Sequence, residues 1–318
     1  MPDETEIVEA ILKRARRLPA GYSQVGDDVA VVPASGGRLV MKVDMLVEST
    51  DVPRGMGFRR AARKSVAMCV SDLAAKGVRP DSYMVSLGIS RGTTARQIRE
   101  LALGFRDAST EWRVKMVGGD TNEASELVID CVMVGFARRV VGRGGAGPGD
   151  LVVTTGEFGY PPAGLAILEG ANGGGAFRNA ALRSVLMPTP DLKLGLALAP
   201  YWTSVMDSSD GLARSLHTLA RASGMRIRID RMPAVPDLGQ FARANKLLAE
   251  ELVLQGGEEY LLVGTIRAGR FREASRAARN CGGRLIEVGL VEGRGTGVVL
   301  KDEGGLRPIE DAGWTHLL

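Results

Sequence analysis

The sequence has few of the residues that carry the commonest catalytic chemistries. Among its 318 residues are two histidines, His217 and His316, and three widely spaced cysteines, Cys69, Cys131 and Cys281. So few histidines give poor support to a histidine-based hydrolase, and we expect His217 to be a packed or surface residue of a helix. No CxxC or Cys/His spacing of a zinc site occurs. We expect Cys69 and Cys131 to be buried free thiols, because both lie in apolar runs.

Motifs of the common nucleotide-binding folds are also missing. The chain contains no G-x-x-x-x-G-K-[ST], which excludes a P-loop site. Residues 142–147 match G-x-G-x-x-G, but a Pro-Gly-Asp turn and a predicted strand follow where a dinucleotide fold needs a helix. We interpret residues 142–150 as a domain boundary, since the segment is rich in glycine, contains proline and separates two strand signals.

Strong charge and long apolar runs are absent as well. Lysine and arginine total 41 against 37 aspartates and glutamates, a net charge of +4, and the basic residues are dispersed. Because a nucleic-acid footprint needs a clustered basic patch, we expect no nucleic-acid partner. No apolar run approaches the length of a membrane span, and the first residues show no signal-peptide core. We therefore expect no membrane association and a cytoplasmic location.

Strand and helix patterns alternate along the chain and predict a protein of class α/β (α+β) with two domains. Apolar β-branched runs predict strands in both halves, and a helical spacing of apolar residues predicts helices between them. The longest predicted helix covers residues 58–76, and an amphipathic one covers residues 3–18. The glycine-rich segment divides the chain into an N-terminal domain, residues 1–141, and a C-terminal α/β domain, residues 142–318.

Aspartates beside glycine or serine recur in short unusual strings along the chain. They are Asp27 with Asp28, Asp44, Asp72, Asp120, and Asp207 with Asp210. Several carboxylates that converge on one place would hold hard cations, because Mg²⁺ takes oxygen ligands and shares one or two carboxylates with substrate phosphates. The pattern therefore predicts a magnesium site that handles phosphate esters.

Each string also has a plain structural interpretation. Asp72 lies on an otherwise apolar helix face, where a carboxylate is costly unless it binds metal or pairs with Arg63 or Lys76. Residues 118–121 follow a predicted strand and suit either a phosphate cradle of backbone N–H groups or a hairpin turn. Helix capping explains one residue of the string Asp207–Gly211, but not both carboxylates and both serines.

Taken in order, these strings resemble the motifs of the thiamine-monophosphate kinase family, in the superfamily that includes aminoimidazole-ribotide and selenophosphate synthetases. The family pattern runs GDD, D-x-x-V-E, SD-x-AA-x-G-x-x-P, GGDT, R-x-x-A-x-x-GD, D-x-SDGL and GGE-x-Y. All seven strings occur here in that order between residues 26 and 260, and residues 313–316 match the family's C-terminal aromatic segment. The string at residues 49–53 is similar to that of archaeal members. The resemblance covers nearly the whole chain.

The resemblance implies ATP-dependent phosphorylation of thiamine monophosphate to thiamine diphosphate, with Mg²⁺, in a dimer whose N-terminal domains join their sheets. It implies that positioning and metal electrostatics carry the catalysis, without a catalytic acid or base. By motif matching, the metal ligands would be Asp27, Asp44, Asp72, Asp120, Asp207 and Asp210. The ATP contacts would be Gly119, Asp120, Thr121, Arg143 and Ser209. The substrate contacts would be Asp51, Glu258 and Trp314.

Two positions depart from the family pattern. Asp51 stands where bacterial members have histidine, and an acidic residue there can pair with the cationic thiamine. Lys42 and Val43 replace the hydroxyl-bearing residues that usually precede Asp44, and neither side chain offers an oxygen ligand to magnesium.

Other functions would leave different marks in the sequence. A selenophosphate synthetase carries a reactive cysteine or selenocysteine in a glycine-rich leader, but the first cysteine here is Cys69, within a predicted helix. The sequence also leaves open the function of another ATP-dependent synthetase of the superfamily. A non-catalytic nucleotide-binding protein is a further alternative, which loss of the metal ligands would mark, yet all six carboxylates are present. Trp314 suits either stacking on a thiamine ring or packing on the core.

Overall fold

The computed structural model describes residues 27–314 together with Glu6, Ile7, Ala10, Ile11 and Tyr22. Most of the helix predicted over residues 3–18 lies outside the described residues, as do Gly26 and His316 of the motifs. Within the described residues, helices alternate with the strands of two separate sheets, which confirms the predicted mixed α/β class.

The first sheet has five strands in the order β1-β2-β5-β3-β4. They are β1 (Ala30–Ala34), β2 (Gly37–Val47), β3 (Arg79–Ile89), β4 (Lys115–Glu123) and β5 (Val128–Ala137). The edge strand β4 pairs parallel with β3, and the other neighbours pair antiparallel. A tight turn joins β1 to β2, and Gly36 within it has a φ of 80°, which glycine adopts without strain.

Helix α2 is the central element of the first half. The short α1 (Glu48–Asp51) precedes α2 (Phe58–Ala75), and α3 (Ala95–Trp112) follows. Of the 18 residues of α2, 14 are buried, because the helix packs on β2 and β5 on one side and on α3 on another. Helices that bury residues all round need small side chains for close contact, and alanine fills much of α2.

The opposite face of the first sheet carries large apolar side chains that are exposed in the monomer. The inner face of β2 holds Val40 and Leu46, which are fully buried. Strand alternation places every second residue, among them Val43 and Met45, on the other face. The exposed fractions there are Val43 57%, Met45 58%, Met84 48% and Phe136 62%.

The second sheet has seven strands in the order β12-β11-β8-β10-β6-β9-β7. They are β6 (Asp150–Thr154), β7 (Trp202–Ser208), β8 (Met225–Ile229), β9 (Leu261–Arg267), β10 (Ile286–Arg294), β11 (Val298–Asp302) and β12 (Gly305–Ile309). Its helices are α4 (Tyr160–Leu168), α5 (Gly175–Leu186), α6 (Leu192–Leu198), α7 (Leu212–Ser223), α8 (Leu238–Ala244), α9 (Ala249–Leu254) and α10 (Phe271–Asn280). Only β8 and β11 pair parallel in this sheet.

Contacts through α2 join the two halves. Gly195 of α6 packs so closely on α2 that an added Cβ would lie 2.3 Å from the Ala74 carbonyl oxygen. At the end of α2, Lys76 Nζ donates to the Val205 carbonyl of β7 at 3.0 Å. Both sheets therefore contribute to the surroundings of one helix. The described part of the chain contains no helix with the length and apolar character needed to cross a membrane.

The structure differs from the sequence predictions at two elements. Residues 118–121 lie within β4, because pairing with β3 continues to Glu123, so neither a strand end nor a hairpin turn occurs there. Helix α5 begins at Gly175, within a segment whose composition predicts a loop over residues 172–177.

The predictions for cysteine and histidine are confirmed. Cys69 and Cys131 are buried free thiols, and the Cys69 thiol donates to the Cys131 carbonyl at 3.3 Å. His217 of α7 is partly buried, with its Nε2 2.8 Å from the Ile309 carbonyl oxygen.

Candidate functional site

Helix α2 and its C-cap carry a polar stripe inside the protein. Lys64, Ser71, Asp72 and Lys76 recur at helical spacing and so lie along one side of the helix. All four are buried. Buried charges are costly unless paired, and each of the three charged residues has an ion-pair partner from another segment. The stripe therefore fixes the positions of charged side chains from other segments of the chain.

Three buried aspartates from three segments meet beside this stripe. Asp28 precedes β1, Asp72 lies on α2 and Asp207 lies near the end of β7. Each offers a carboxylate oxygen within 4.8 Å of the other two. The Ser71 hydroxyl donates to Asp207 Oδ2 at 2.8 Å and orients that carboxylate. Magnesium takes carboxylate oxygens, so this triad of Asp28, Asp72 and Asp207 fits such an ion.

Lys76 and Arg143 neutralise the two aspartates before β1. Lys76 Nζ lies 2.6 Å from Asp27 Oδ1 and 2.6 Å from Asp28 Oδ2. Arg143 Nε donates to Asp28 Oδ1 at 2.7 Å, and the Arg143 backbone N–H donates to Asp27 Oδ2 at 3.3 Å. Burial opposes ionisation of Asp28, but Lys76 and Arg143 outweigh it and lower the pKa of that carboxyl. Asp28 is therefore a charged member of the triad.

Lys42 contacts the carboxylates on the other side of the triad. Its Nζ lies 3.0 Å from Asp44 Oδ1 and 2.9 Å from Asp72 Oδ2. Burial favours the neutral amine, yet Asp72 and Asp44 raise the pKa of Lys42 well above its usual range. Burial and Asp207 raise the pKa of Asp72 well above its usual value. Burial and Asp28 raise the pKa of Asp207 to about 6. Negative charge is crowded here, and a bound cation would relieve it.

The structure brings part of the predicted metal set together. Asp72 and Asp207 belong to the triad, while Asp27 and Asp44 adjoin it through the lysines that they share with triad members. Asp28 is the member that the motif matching passed over. Asp28 follows Asp27 in the same GDD string, so the sequence motif could have predicted it as a metal ligand.

Asp72 does pair with a lysine, but not with a cation from its own helix. Arg63 Nη2 lies 2.7 Å from Glu111 Oε1, and Lys76 pairs with the aspartates before β1. The partner is Lys42 of β2, opposite the helix. Helical spacing alone predicts the wrong partner, because the stripe faces the sheet.

Asp120 and Asp210 lie outside the triad. Among the described residues, the triad is the one group of three acidic side chains close enough together to hold a metal ion. Strand β4 is an edge strand whose residues are all exposed, including Gly119, Asp120 and Thr121. The register places Gly119 in the same row as Asp44 and Asp120 in the next row, which faces the other side of the sheet. A Cβ on Gly119 would lie 2.3 Å from the Val85 carbonyl oxygen, so the strands approach as only glycine allows.

A second group of predicted residues lies where β7 ends and β9 begins. The Glu258 backbone N–H donates to the Ser209 carbonyl at 2.6 Å, and that of Trp314 donates to the Asp210 carbonyl at 3.0 Å. Glu258 has a φ of 67°, which is rare for a residue other than glycine and typical of functional sites. Trp314 is 52% exposed, so about half of its surface is open to solvent.

Lys64 connects this second group to Asp51. The buried Lys64 Nζ lies 2.5 Å from Glu258 Oε2 and donates to the Asp51 carbonyl at 2.7 Å. The Asp51 carboxylate turns back on its own segment, since its Oδ2 accepts from the Val47 N–H at 2.8 Å and from the Thr50 hydroxyl at 3.0 Å. Asp51 and Glu258 thus meet around one ammonium, Asp51 through its backbone and Glu258 through its side chain.

Comparisons with known proteins place this geometry in a family. The model of the AIR synthase related protein, N-terminal domain, matches residues 26–137. Thiamine-monophosphate kinase of Nitrosopumilus maritimus is 36% identical over 315 residues, which are 99% of this chain and 98% of that protein. The Pyrococcus horikoshii enzyme of the same name is 35% identical over 296 residues, 92% of this chain and 91% of that protein.

A solved structure agrees with the sequence relatives. AaThiL complexed with AMPPCP and TMP superposes with a TM-score of 0.86 at 27% identity, and the match covers 99% of this chain and 97% of that one. The likeness therefore extends over both sheets and over every segment that contributes to the aspartate triad. With relatives of this identity over almost its whole length, the chain belongs to the thiamine-monophosphate kinase family.

Proposed function

We propose that this protein transfers the γ-phosphoryl group of ATP to the phosphate of thiamine monophosphate, with Mg²⁺, and releases thiamine diphosphate and ADP. The observation that carries the proposal is the buried triad of Asp28, Asp72 and Asp207, in a chain 36% identical to a thiamine-monophosphate kinase over 99% of its length. The similar AaThiL is complexed with AMPPCP, an ATP analogue, and with TMP, which supports the same pair of substrates here.

The chemistry needs positioning and charge more than proton transfer. Two polyanions must approach each other, so their repulsion is the main obstacle, and bound Mg²⁺ supplies positive charge for the phosphates. Asp28, Asp72 and Asp207 offer that ion ligands from three segments, and Ser71 holds the Asp207 carboxylate in place. Arg143, oriented by Asp28, brings a guanidinium to the same place. The acceptor phosphate is already ionised near neutral pH, so no side chain needs to act as a strong base.

We propose that the substrate binds beside Glu258 and Trp314. The exposed indole of Trp314 offers an aromatic face that suits a cationic thiazolium ring. For Asp51 we propose a role through its backbone carbonyl and Lys64, since its carboxylate is engaged by Val47 and Thr50.

For ATP we propose contacts at Gly119, Asp120, Thr121, Arg143 and Ser209. Three of these lie on the exposed edge strand β4, where a ligand can reach the backbone. Asp120 and Asp210 are proposed as further metal ligands from the family motifs alone, since both lie outside the triad.

We further propose a homodimer that forms through the first sheet. The exposed apolar side chains on its outer face support this, because contiguous apolar surface of this kind marks interaction sites. We also propose a domain division at residues 141/142, supported by the strands of the first sheet, which all precede it, and those of the second sheet, which all follow it. A cytoplasmic location stays a prediction from the sequence.

A direct assay tests the proposed activity. The purified protein is incubated with ATP, MgCl₂ and thiamine monophosphate, and the products are separated by chromatography. We expect thiamine diphosphate and ADP in equal amounts. Turnover of an aminoimidazole-ribotide precursor without formation of thiamine diphosphate would instead identify another synthetase of the superfamily.

A further inference from the structure

We propose that the Lys42 ammonium is a built-in cation of the site and replaces a divalent ion between Asp44 and Asp72. The inference rests on the proposed magnesium-dependent function, because it specifies which cation joins these two carboxylates. It concerns metal binding alone, so it can be tested without either substrate.

The register of β2 directs Lys42 into the site. Val40, Lys42, Asp44 and Leu46 alternate onto the inner face of the strand, and Val40 and Leu46 are fully buried against the core. Turning Lys42 to the other face would need a slip of one residue, which would expose both apolar neighbours. The strand therefore directs the Lys42 side chain towards α2.

The position of the ammonium excludes a divalent ion at the same place. Lys42 Nζ lies 3.0 Å from Asp44 Oδ1 and 2.9 Å from Asp72 Oδ2, so it already contacts both carboxylates. A magnesium ion that bonded the same two oxygens would need distances of about 2.0–2.1 Å and would lie against the ammonium. Two cations so close repel strongly, so the ammonium and the ion are alternatives.

The charges around the triad are consistent with a single divalent ion. Five aspartates surround the site, and three side-chain cations pair with them. The aspartates are Asp27, Asp28, Asp44, Asp72 and Asp207, and the cations are Lys42, Lys76 and Arg143. With the ligand carboxylates ionised, as metal binding requires, the difference is two negative charges, which one divalent ion neutralises. We infer that the nucleotide-free protein binds one such ion tightly, at the triad.

Manganese titration followed by electron paramagnetic resonance tests the inference on the nucleotide-free protein. We expect one tight Mn²⁺ in the wild type and one additional equivalent in Lys42→Thr, where the ammonium is gone and a hydroxyl stands in its place. Lys115→Thr is the matched control, because Lys115 lies on β4 with a 74% exposed side chain and should leave the count unchanged. Equal Mn²⁺ counts in Lys42→Thr and the wild type would overturn the proposal.

Anomalous diffraction from wild-type crystals soaked in MnCl₂ gives a test that needs no variant. The expected result is a manganese peak among Asp28, Asp72 and Asp207, with the Lys42 side chain still between Asp44 and Asp72. A peak bonded to both Asp44 and Asp72 would overturn the proposal even if Lys42→Thr does not fold. Neither result depends on turnover, so a failure here is distinct from a failure of the kinase assay.

Discussion

At the scale of single residues, a change at Asp72 is expected to abolish activity while the protein still folds. Asp72→Asn keeps the size of the side chain and one oxygen but removes the negative charge that the carboxylate offers to a metal ion. Burial and Asp207 raise the pKa of Asp72, so a bound cation would favour its ionised form. We expect the fold to be intact and ADP formation to fall by about 10²–10³-fold or more, as when an electrostatic group is removed from an active site. Wild-type turnover of this variant at saturating Mg²⁺ would contradict the metal assignment. The exposed Asp81, changed to Asn, is the control.

Lys64 provides a second prediction, on stability. Lys64→Met leaves the Glu258 carboxylate without its 2.5 Å partner, and removing one member of a buried pair costs on the order of 3 kcal/mol in free energy of unfolding. The double variant Lys64→Met/Glu258→Gln has no unpaired charge, so we expect it to regain part of the loss in urea unfolding. If the double variant loses as much as the sum of both single variants, the two side chains are not coupled.

The buried Glu259 should make the free energy of unfolding depend on pH. Burial raises its pKa to about 8, although the Gly159 N–H donates to Oε1 at 2.5 Å and acts in the opposite direction. The unfolded chain releases this proton near its ordinary pKa of 4.5, so the folded state binds the proton more tightly. The resulting stability is present below about pH 4.5 and is lost as the pH rises through about 8.

Glu259→Gln should remove that dependence, because the amide keeps the acceptor for the Gly159 N–H and does not ionise. Between pH 5 and pH 9 we expect the free energy of unfolding to fall by on the order of a few kcal/mol more in the wild type than in the variant, in which Asp72 and Asp207 keep their own contributions. Urea unfolding across this range measures it. The exposed Glu287, changed to Gln, is the control. Equal slopes in Glu259→Gln and the wild type would show that the carboxyl is not protonated in the fold.

The residues of the site differ in how far the sequence predicts them. Asp72 and Asp207 are recognised because a carboxylate in an apolar helix, or a pair of acids before a helix, has a chemical cost that function explains. Lys64 is not recognised as part of the site, since a lysine in a helix normally lies on the surface, and Lys42 stands out only as a departure from the family pattern. Their burial follows from contacts with distant segments, which local spacing does not report.

At the scale of elements, α3 packs closely on α2. We therefore expect an alanine at Gly104 to destabilise the protein, although helix propensity favours alanine over glycine. An added Cβ at Gly104 would lie 2.1 Å from the Arg59 carbonyl oxygen, so the two helices would have to separate. Gly104→Ala should therefore lower the free energy of unfolding, although alanine favours a helix by about 1 kcal/mol over glycine. Gly239→Ala in α8 meets only the flexible end of Arg243 at 3.5 Å and should be neutral or stabilising. Thermal unfolding of both variants separates packing from propensity.

Elements with strong local patterns were predictable, and those held by long-range pairing were not. The predicted helix over residues 58–76 agrees with α2 (Phe58–Ala75) to within one residue, because its apolar periodicity and the glycine that follows are local signals. Strand β4 includes Gly118, Gly119, Asp120 and Asn122, residue types that rarely form strands, since pairing with β3 overrides their preference. Strand β10 lies between β6 and β8, which come from distant parts of the chain.

At the scale of the whole molecule, the first sheet has an apolar face that a monomer leaves in water. Val43 and Met84 lie in one row of paired residues, with Val132 between them, and Phe136 extends the same face. The alternation of β2 and β5 predicts two apolar faces for this sheet, but it does not say which one the helices cover. Only the packing of α2 on the inner face identifies the outer one as the surface open to a second copy.

This surface gives a prediction for assembly. Phe136→Glu places a charge on the proposed interface, and because Phe136 is 62% exposed in the monomer, the change should alter monomer stability by only about 0.5 kcal/mol. We expect the wild type to sediment as a dimer and Phe136→Glu to sediment as a monomer at the same concentration. Leu306→Glu, at a 52% exposed residue of β12 in the second sheet, should remain dimeric. A dimer that persists in Phe136→Glu but dissociates in Leu306→Glu would place the interface on the second sheet and contradict the proposal.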